Sequence, residues 1–132
     1  MPHLIIEYSD NLVDRLHVDL NGFLDAMATT MSESGLFRTG GIRIRAYPSP
    51  LYRVADGDPD NAFVALRLHI APGRTHPQKV AVGEALFHAA RNRLAVPIDK
   101  GRLALSLEVT EIDADLRWNA NRIHDRLVGD EG

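Results

Sequence analysis

The sequence predicts an α+β domain: two β-α-β units forming a four-stranded sheet, with two helices covering one face. Three observations predict it. The apolar pattern switches from period two to helical spacing and back again, twice along the chain. The two units, about residues 2–47 and 62–112, are offset by roughly 60 residues, as a tandem duplication would be. Each helical crossover implies a parallel strand pair, with the right-handed connection that such crossovers take. One domain over residues 1–132 follows, with a tail at 113–132.

The first strand is expected from Pro2 to Tyr8, where Leu4, Ile6 and Tyr8 share a face. Leu20, Phe23, Leu24, Met27, Ala28 and Met31 then recur at spacings of three and four and predict a helix. Asp19 is placed to cap its start and Gly35 to end it in a left-handed conformation. A second strand is predicted from Gly41 to Tyr47, with Ile42 and Ile44 on one face and Arg43 and Arg45 on the other. Pro48, Pro50, Asp56-Gly57 and Asp58-Pro59 read as a turning connection. The third strand, Ala62 to Ile70, turns Val64, Leu66, Leu68 and Ile70 one way and Arg67 and His69 the other.

Thr75 and Gln78 fit a capping box that opens a helix running to about Ala95. Val80, Gly83, Phe87, Ala90 and Leu94 are its expected buried side, and Pro97 its stop. A fourth strand from Leu103 to Ile112 and a short helical tail containing Trp118, Ile123 and Leu127 complete the chain. With helices on one face only, apolar residues on the other are expected to need cover, and oligomerisation supplies it most simply in a short chain.

Composition removes several function classes. Net charge is -3, from 15 Lys+Arg against 18 Asp+Glu, and no basic run with interleaved aromatics occurs, so nucleic-acid binding is not expected. The absence of cysteine removes disulfides, thiol nucleophiles and the common zinc sets. No stretch approaches the ~20 apolar residues of a membrane span, and the start lacks a signal-peptide pattern, so the expected location is the cytoplasm.

Proline after the initiator methionine is the most unusual placement. Removal of Met1 would leave Pro2 as a secondary amine at the head of a strand, and nearby cations or burial would lower its pKa toward the range of a general base. Met-Pro is also a common start, so position alone makes Pro2 only a candidate. Arg43, Arg45 and Arg74 form a second candidate group, since guanidinium groups bind carboxylates bidentately; any single one is ordinarily a solvated surface residue. The six histidines read as surface or packing residues, and no metal site is expected. No Gly-rich phosphate cradle follows a strand, and Ser9 and Asp10 lack the context of a nucleophilic triad.

The segment Pro2-His3-Leu4-Ile5-Ile6-Glu7-Tyr8-Ser9-Asp10-Asn11 resembles the start of the 5-carboxymethyl-2-hydroxymuconate isomerases of the tautomerase superfamily. Gly35-Leu36-Phe37, Gly41-Ile42-Arg43-Ile44-Arg45, Ala55-Asp56-Gly57, Ala62-Phe63-Val64, Gly73-Arg74, Gly83-Glu84-Ala85-Leu86-Phe87 and Leu103-Ala104-Leu105-Ser106-Leu107-Glu108 continue the likeness in order. The resemblance implies the tautomerase fold, a homotrimer, no cofactor, and a small unsaturated di- or tricarboxylate as substrate. It implies Pro2 as catalytic base and Arg43 and Arg74 as catalytic and substrate-binding residues, with Arg45 as a further substrate contact. The segment Tyr47-Pro48-Ser49-Pro50-Leu51-Tyr52 and the tail after Trp118 depart from the family pattern. Another activity of the superfamily on a different unsaturated carboxylate is the alternative, as is a non-catalytic trimeric carboxylate-binding protein.

Overall fold

The computed structural model describes residues 1–131, with side chains to residue 127. Strand β1 (His3–Ser9) leads through a single turn of helix, α1 (Asn11–Asp14), into α2 (Leu20–Glu33). A 3-10 turn (Thr39–Gly41) precedes β2 (Arg43–Ser49), and β3 (Ala62–Ile70) leads to α3 (His76–Arg93) and the short α4 (Ala95–Asp99). Strand β4 (Leu103–Glu111), a second 3-10 turn (Ala114–Leu116) and α5 (Ile123–Glu131) follow. The sheet order is β2-β1-β3-β4. β1 is parallel to β2 and β3 to β4, while β1 and β3 run antiparallel at the centre. Duplicated β-α-β units and a four-stranded sheet therefore form as the sequence predicts.

The helix ends are chemically specified. The Asp19 carboxylate accepts the Gly22 N–H, an N-cap worth about 1 kcal/mol. Thr75 and Gln78 exchange both bonds of the capping box. Gly35 has φ +74, the left-handed conformation expected after α2. Leu4 and Ile6 of β1 and Val64, Leu66, Leu68 and Ile70 of β3 bury completely or nearly so against Phe23, Met27 and Met31 of α2 and Val82, Leu86 and Ala90 of α3.

Four readings need correction. The buried stripe of α3 is Val82, Leu86 and Ala90, continued by Leu94, whereas Val80 and Phe87 are exposed. Residues 80–90 are apolar almost all round, so periodicity alone cannot choose the face. Pro97 does not stop α3; it sits in the first turn of α4, where its missing N–H is no loss. Pro48 lies inside β2, which is tolerated because β2 is an edge strand. Trp118 is not helical: it belongs to an extended strap and is 86% exposed.

The open face of the sheet also differs from expectation. The registers set His3, Ile5 and Glu7 beside Arg43, Arg45 and Tyr47, and Arg67 opposite Glu108, so this face is mostly polar and charged. An apolar groove lies instead at the β4 edge. There Val80, Gly83 and Phe87 of α3 and Leu107 and Val109 of β4 line a groove of about 550 Å³.

Candidate active site

The antiparallel centre of the sheet brings one end of all four strands together. The starts of β1 and β2 lie beside the ends of β3 and β4, so Pro2, Gly41-Ile42-Arg43, Ala71–Arg74 and Ile112 share one edge of the molecule. Pro2 is buried, and its carbonyl accepts the Arg43 N–H at 3.0 Å. The Arg43 side chain folds back along the strand start, where Nη1 donates to the carbonyls of Gly40 and Ile42 at 3.0 and 3.1 Å. Arg74 reaches the same end from the turn before α3. Its Nη2 donates to Leu36 O at 2.9 Å, its Nη1 to Ala71 O at 3.2 Å, and its guanidinium lies 4.9 Å from the centre of the Phe37 ring.

Gly73 takes φ +116, a conformation that favours glycine and sets the turn carrying Arg74. Arg45 lies two residues further along the same face of β2, with Nη1 3.2 Å from His3 Nδ1. Three of the four residues singled out by sequence thus lie at one end of the sheet, and Arg45 is two residues further along β2.

The tail supplies a wall that sequence reasoning missed. The Ile112 N–H bonds Ile70 O at 2.8 Å, at the β3–β4 end. By Asn121 the chain has reached the β2 side, where Nδ2 donates to Gly40 O at 2.9 Å and lies 3.5 Å from Met1 Sδ. Residues 113–120 therefore strap the sheet end on which Pro2 sits. His124 then packs on the Gly40-Gly41 turn: a Cβ at Gly40 would meet its Nδ1 at 2.7 Å, which is why this turn has no side chain. Its own Nδ1 is buried without a hydrogen-bond partner among the described residues.

The α-amino group here belongs to Met1, and it stands in for the amine that removal of Met1 would shift onto Pro2. Burial lowers its pKa below the ordinary α-amino value, and the positive charges of Arg117, Arg74 and Arg43 push it further down. The His3 imidazole is likewise lowered, by burial first and then by Arg45. Arg43, Arg74 and Arg117 make no ion pair among the described residues, whereas Arg15, Arg67, Arg91 and Arg102 pair with carboxylates. The site is a strand start, with buried Pro2, ringed by cations that pair with no carboxylate among the described residues. Such a site can hold an anionic ligand against a weak base.

Other candidates dissolve into structure. Ser9 Oγ is buried and accepts the Phe63 N–H at 3.0 Å, so it anchors β3 and is no exposed nucleophile. Among the described residues no group of His, Asp or Glu could hold a metal ion, and no helix is long and apolar enough to cross a membrane.

Relatives agree with this architecture. The chain is 35% identical over 124 residues to the 5-carboxymethyl-2-hydroxymuconate Delta-isomerase of Escherichia coli, covering 94% of this chain and 97% of that protein. A crystal structure of a 5-carboxymethyl-2-hydroxymuconate isomerase from Deinococcus radiodurans R1 superposes with a TM-score of 0.85 at 37% identity, covering 95% of this chain and 92% of the other. At 15% identity and a TM-score of 0.65, a fused 4-OT solved as a symmetric trimer shares the fold, over 89% of this chain and 93% of the other. The profile of the 5-carboxymethyl-2-hydroxymuconate isomerase family matches residues 2–127, and the chain belongs to that family.

Proposed function

We propose that this protein is a cofactor-independent isomerase that ketonises 5-carboxymethyl-2-hydroxymuconate or a closely similar dienol, with the Pro2 amine carrying the proton. The observation that carries the reading is buried Pro2 at the sheet end that also holds Arg43 and Arg74, with the adjoining Met1 amine lowered below the ordinary range by burial and by these arginines. Family membership supports the reaction class.

Ketonisation moves one proton from the enol oxygen to a distant carbon with no net redox change, so one base that becomes an acid suffices. With Met1 removed, neutral Pro2 accepts the proton and returns it. Arg43 and Arg74 hold substrate carboxylates and stabilise the negative charge developing on the dienolate. Their hydrogen bonds to Gly40, Ile42, Ala71 and Leu36 carbonyls fix the guanidinium planes before substrate arrives, so little reorganisation is needed. Arg45, tied to His3, takes a subsidiary place, contacting substrate only where it extends toward the open face.

An ultraviolet assay tests the reading. The processed protein should convert the dienol absorbance of 5-carboxymethyl-2-hydroxymuconate to that of the conjugated ketone without added metal or nucleotide. Turnover of a simple monocarboxylate dienol at equal efficiency, or of neither compound, would refute it.

The working form in this reading is a cytoplasmic homotrimer. Its support is the family and the shared fold with a symmetric trimer, together with the apolar groove at the β4 edge; the charged open face gives little. Light scattering at micromolar concentration should return a mass near three chains. A persistent species of 14.6 kDa would exclude the trimer.

A further inference from the structure

We propose that Arg117, delivered by the C-terminal strap, is a specificity residue of this site and binds the third carboxylate of a tricarboxylate substrate. The inference rests on the isomerase reading and adds to it a residue from outside the duplicated units.

The path of the chain carries the argument. The strap leaves the sheet at Ile112, bonded to Ile70 beside the turn that holds Arg74, and is pinned again at Asn121 on Gly40, beside the turn that holds Arg43. Between those anchors it must cross the start of β1, because β1 lies between β2 and β3 in the sheet. Arg117 is midway along the crossing and half-buried, while its neighbours Leu116 and Trp118 are 70% and 86% exposed. The arginine is therefore the strap residue directed inward.

Among the charges acting on the N-terminal amine, Arg117 has the largest effect, ahead of Arg74 and Arg43. It forms neither a hydrogen bond nor an ion pair among the described residues. Arg43 and Arg74, by contrast, each spend part of their donor set on backbone carbonyls. The muconate skeleton has a carboxylate at each end, and the carboxymethyl branch adds one more. Two arginines held by β2 and the Gly73 turn match the skeleton, and the arginine held by the strap matches the branch.

The test compares 5-carboxymethyl-2-hydroxymuconate with 2-hydroxymuconate, the same dienol without the branch, in the wild type, Arg117→Ala and Arg117→Lys. Rates are taken on the alkaline plateau, where the amine is neutral in all three. Arg117→Ala should raise KM for the branched substrate roughly 10–100-fold, as expected for a lost charge-assisted hydrogen bond, and leave kcat and the unbranched substrate nearly unchanged. Arg117→Lys should fall between. Equal losses on both substrates would make Arg117 a tuner of the amine or a prop of the strap, and no loss would make it a bystander; either overturns the proposal.

A second measurement does not depend on turnover. By calorimetry, wild type should bind tricarballylate more tightly than glutarate, and Arg117→Ala should lose that preference. A preference kept by the variant, or absent from the wild type, overturns the proposal. If wild type turns over neither dienol yet shows an Arg117-dependent preference for tricarballylate, the isomerase reading fails and the third anion site stands.

Discussion

Protein that keeps Met1 should fold and assemble like the processed chain and yet ketonise about 10²–10⁴-fold more slowly, the usual worth of a positioned general base. Two physical effects produce the loss. The Pro2 nitrogen becomes an amide, whose lone pair is delocalised and cannot take a proton at neutral pH. The Met1 side chain also occupies the space under the strap, with Sδ 3.5 Å from Asn121 Nδ2. Mass spectrometry fixes which form is present, and the dienol assay then compares the two. Pro2→Ala, processed, should be impaired but active, because alanine retains a free amine of different basicity and position. Equal rates from fully Met1-bearing and processed protein would mean that a side chain carries the proton.

The second large effect is expected from the arginines. Arg43→Ala and Arg74→Ala should each lower kcat/KM by about 10²–10³, the typical cost of removing one donor to developing negative charge. They are not pure binding residues, since both also hold backbone carbonyls, and Arg74 additionally stacks on Phe37. A modest drop in Tm is therefore expected, and Arg74→Lys, which keeps the charge, separates the two roles. Near-normal kinetics in both alanine variants would refute the assignment.

The pH profile carries an independent signature. A base must be neutral to act, so the rate falls as pH falls through the amine's pKa. Burial and three guanidinium groups lower the Met1 amine below its ordinary value of about 8, and the same surroundings should lower the Pro2 amine after Met1 is removed, extending activity to lower pH. Deleting one arginine removes part of the depression and should move the acid limb upward, toward that value. The limb should not return fully, because burial is the larger cause.

The sheet was readable because its alternation is local: every second residue from Ala62 to Ile70 faces the helices, and five of them are buried. Caps at Asp19 and Thr75 were readable for the same reason, since each is written within four residues. The face of α3 was not, because two apolar stripes compete on one helix and only packing against the sheet decides between them. Pro2, Arg43 and Arg74 could be singled out by motif, although nothing short of the sheet order brings strand starts and a distant turn to one edge. Arg117 had no local signal at all. Its place depends on where Ile112 and Asn121 are tethered, which is a property of the folded chain.

The strap also makes access to Met1 depend on a distant segment of the chain. Residues 113–120 follow both β-α-β units in sequence and lie near Met1 once Ile112 and Asn121 are tethered. With the strap seated, Met1 is half-covered, with its sulfur against Asn121 and His124 seated on the nearby glycines. Removal of Met1 by an aminopeptidase should therefore be faster when the Asn121–Gly40 tether is broken than when the strap is seated.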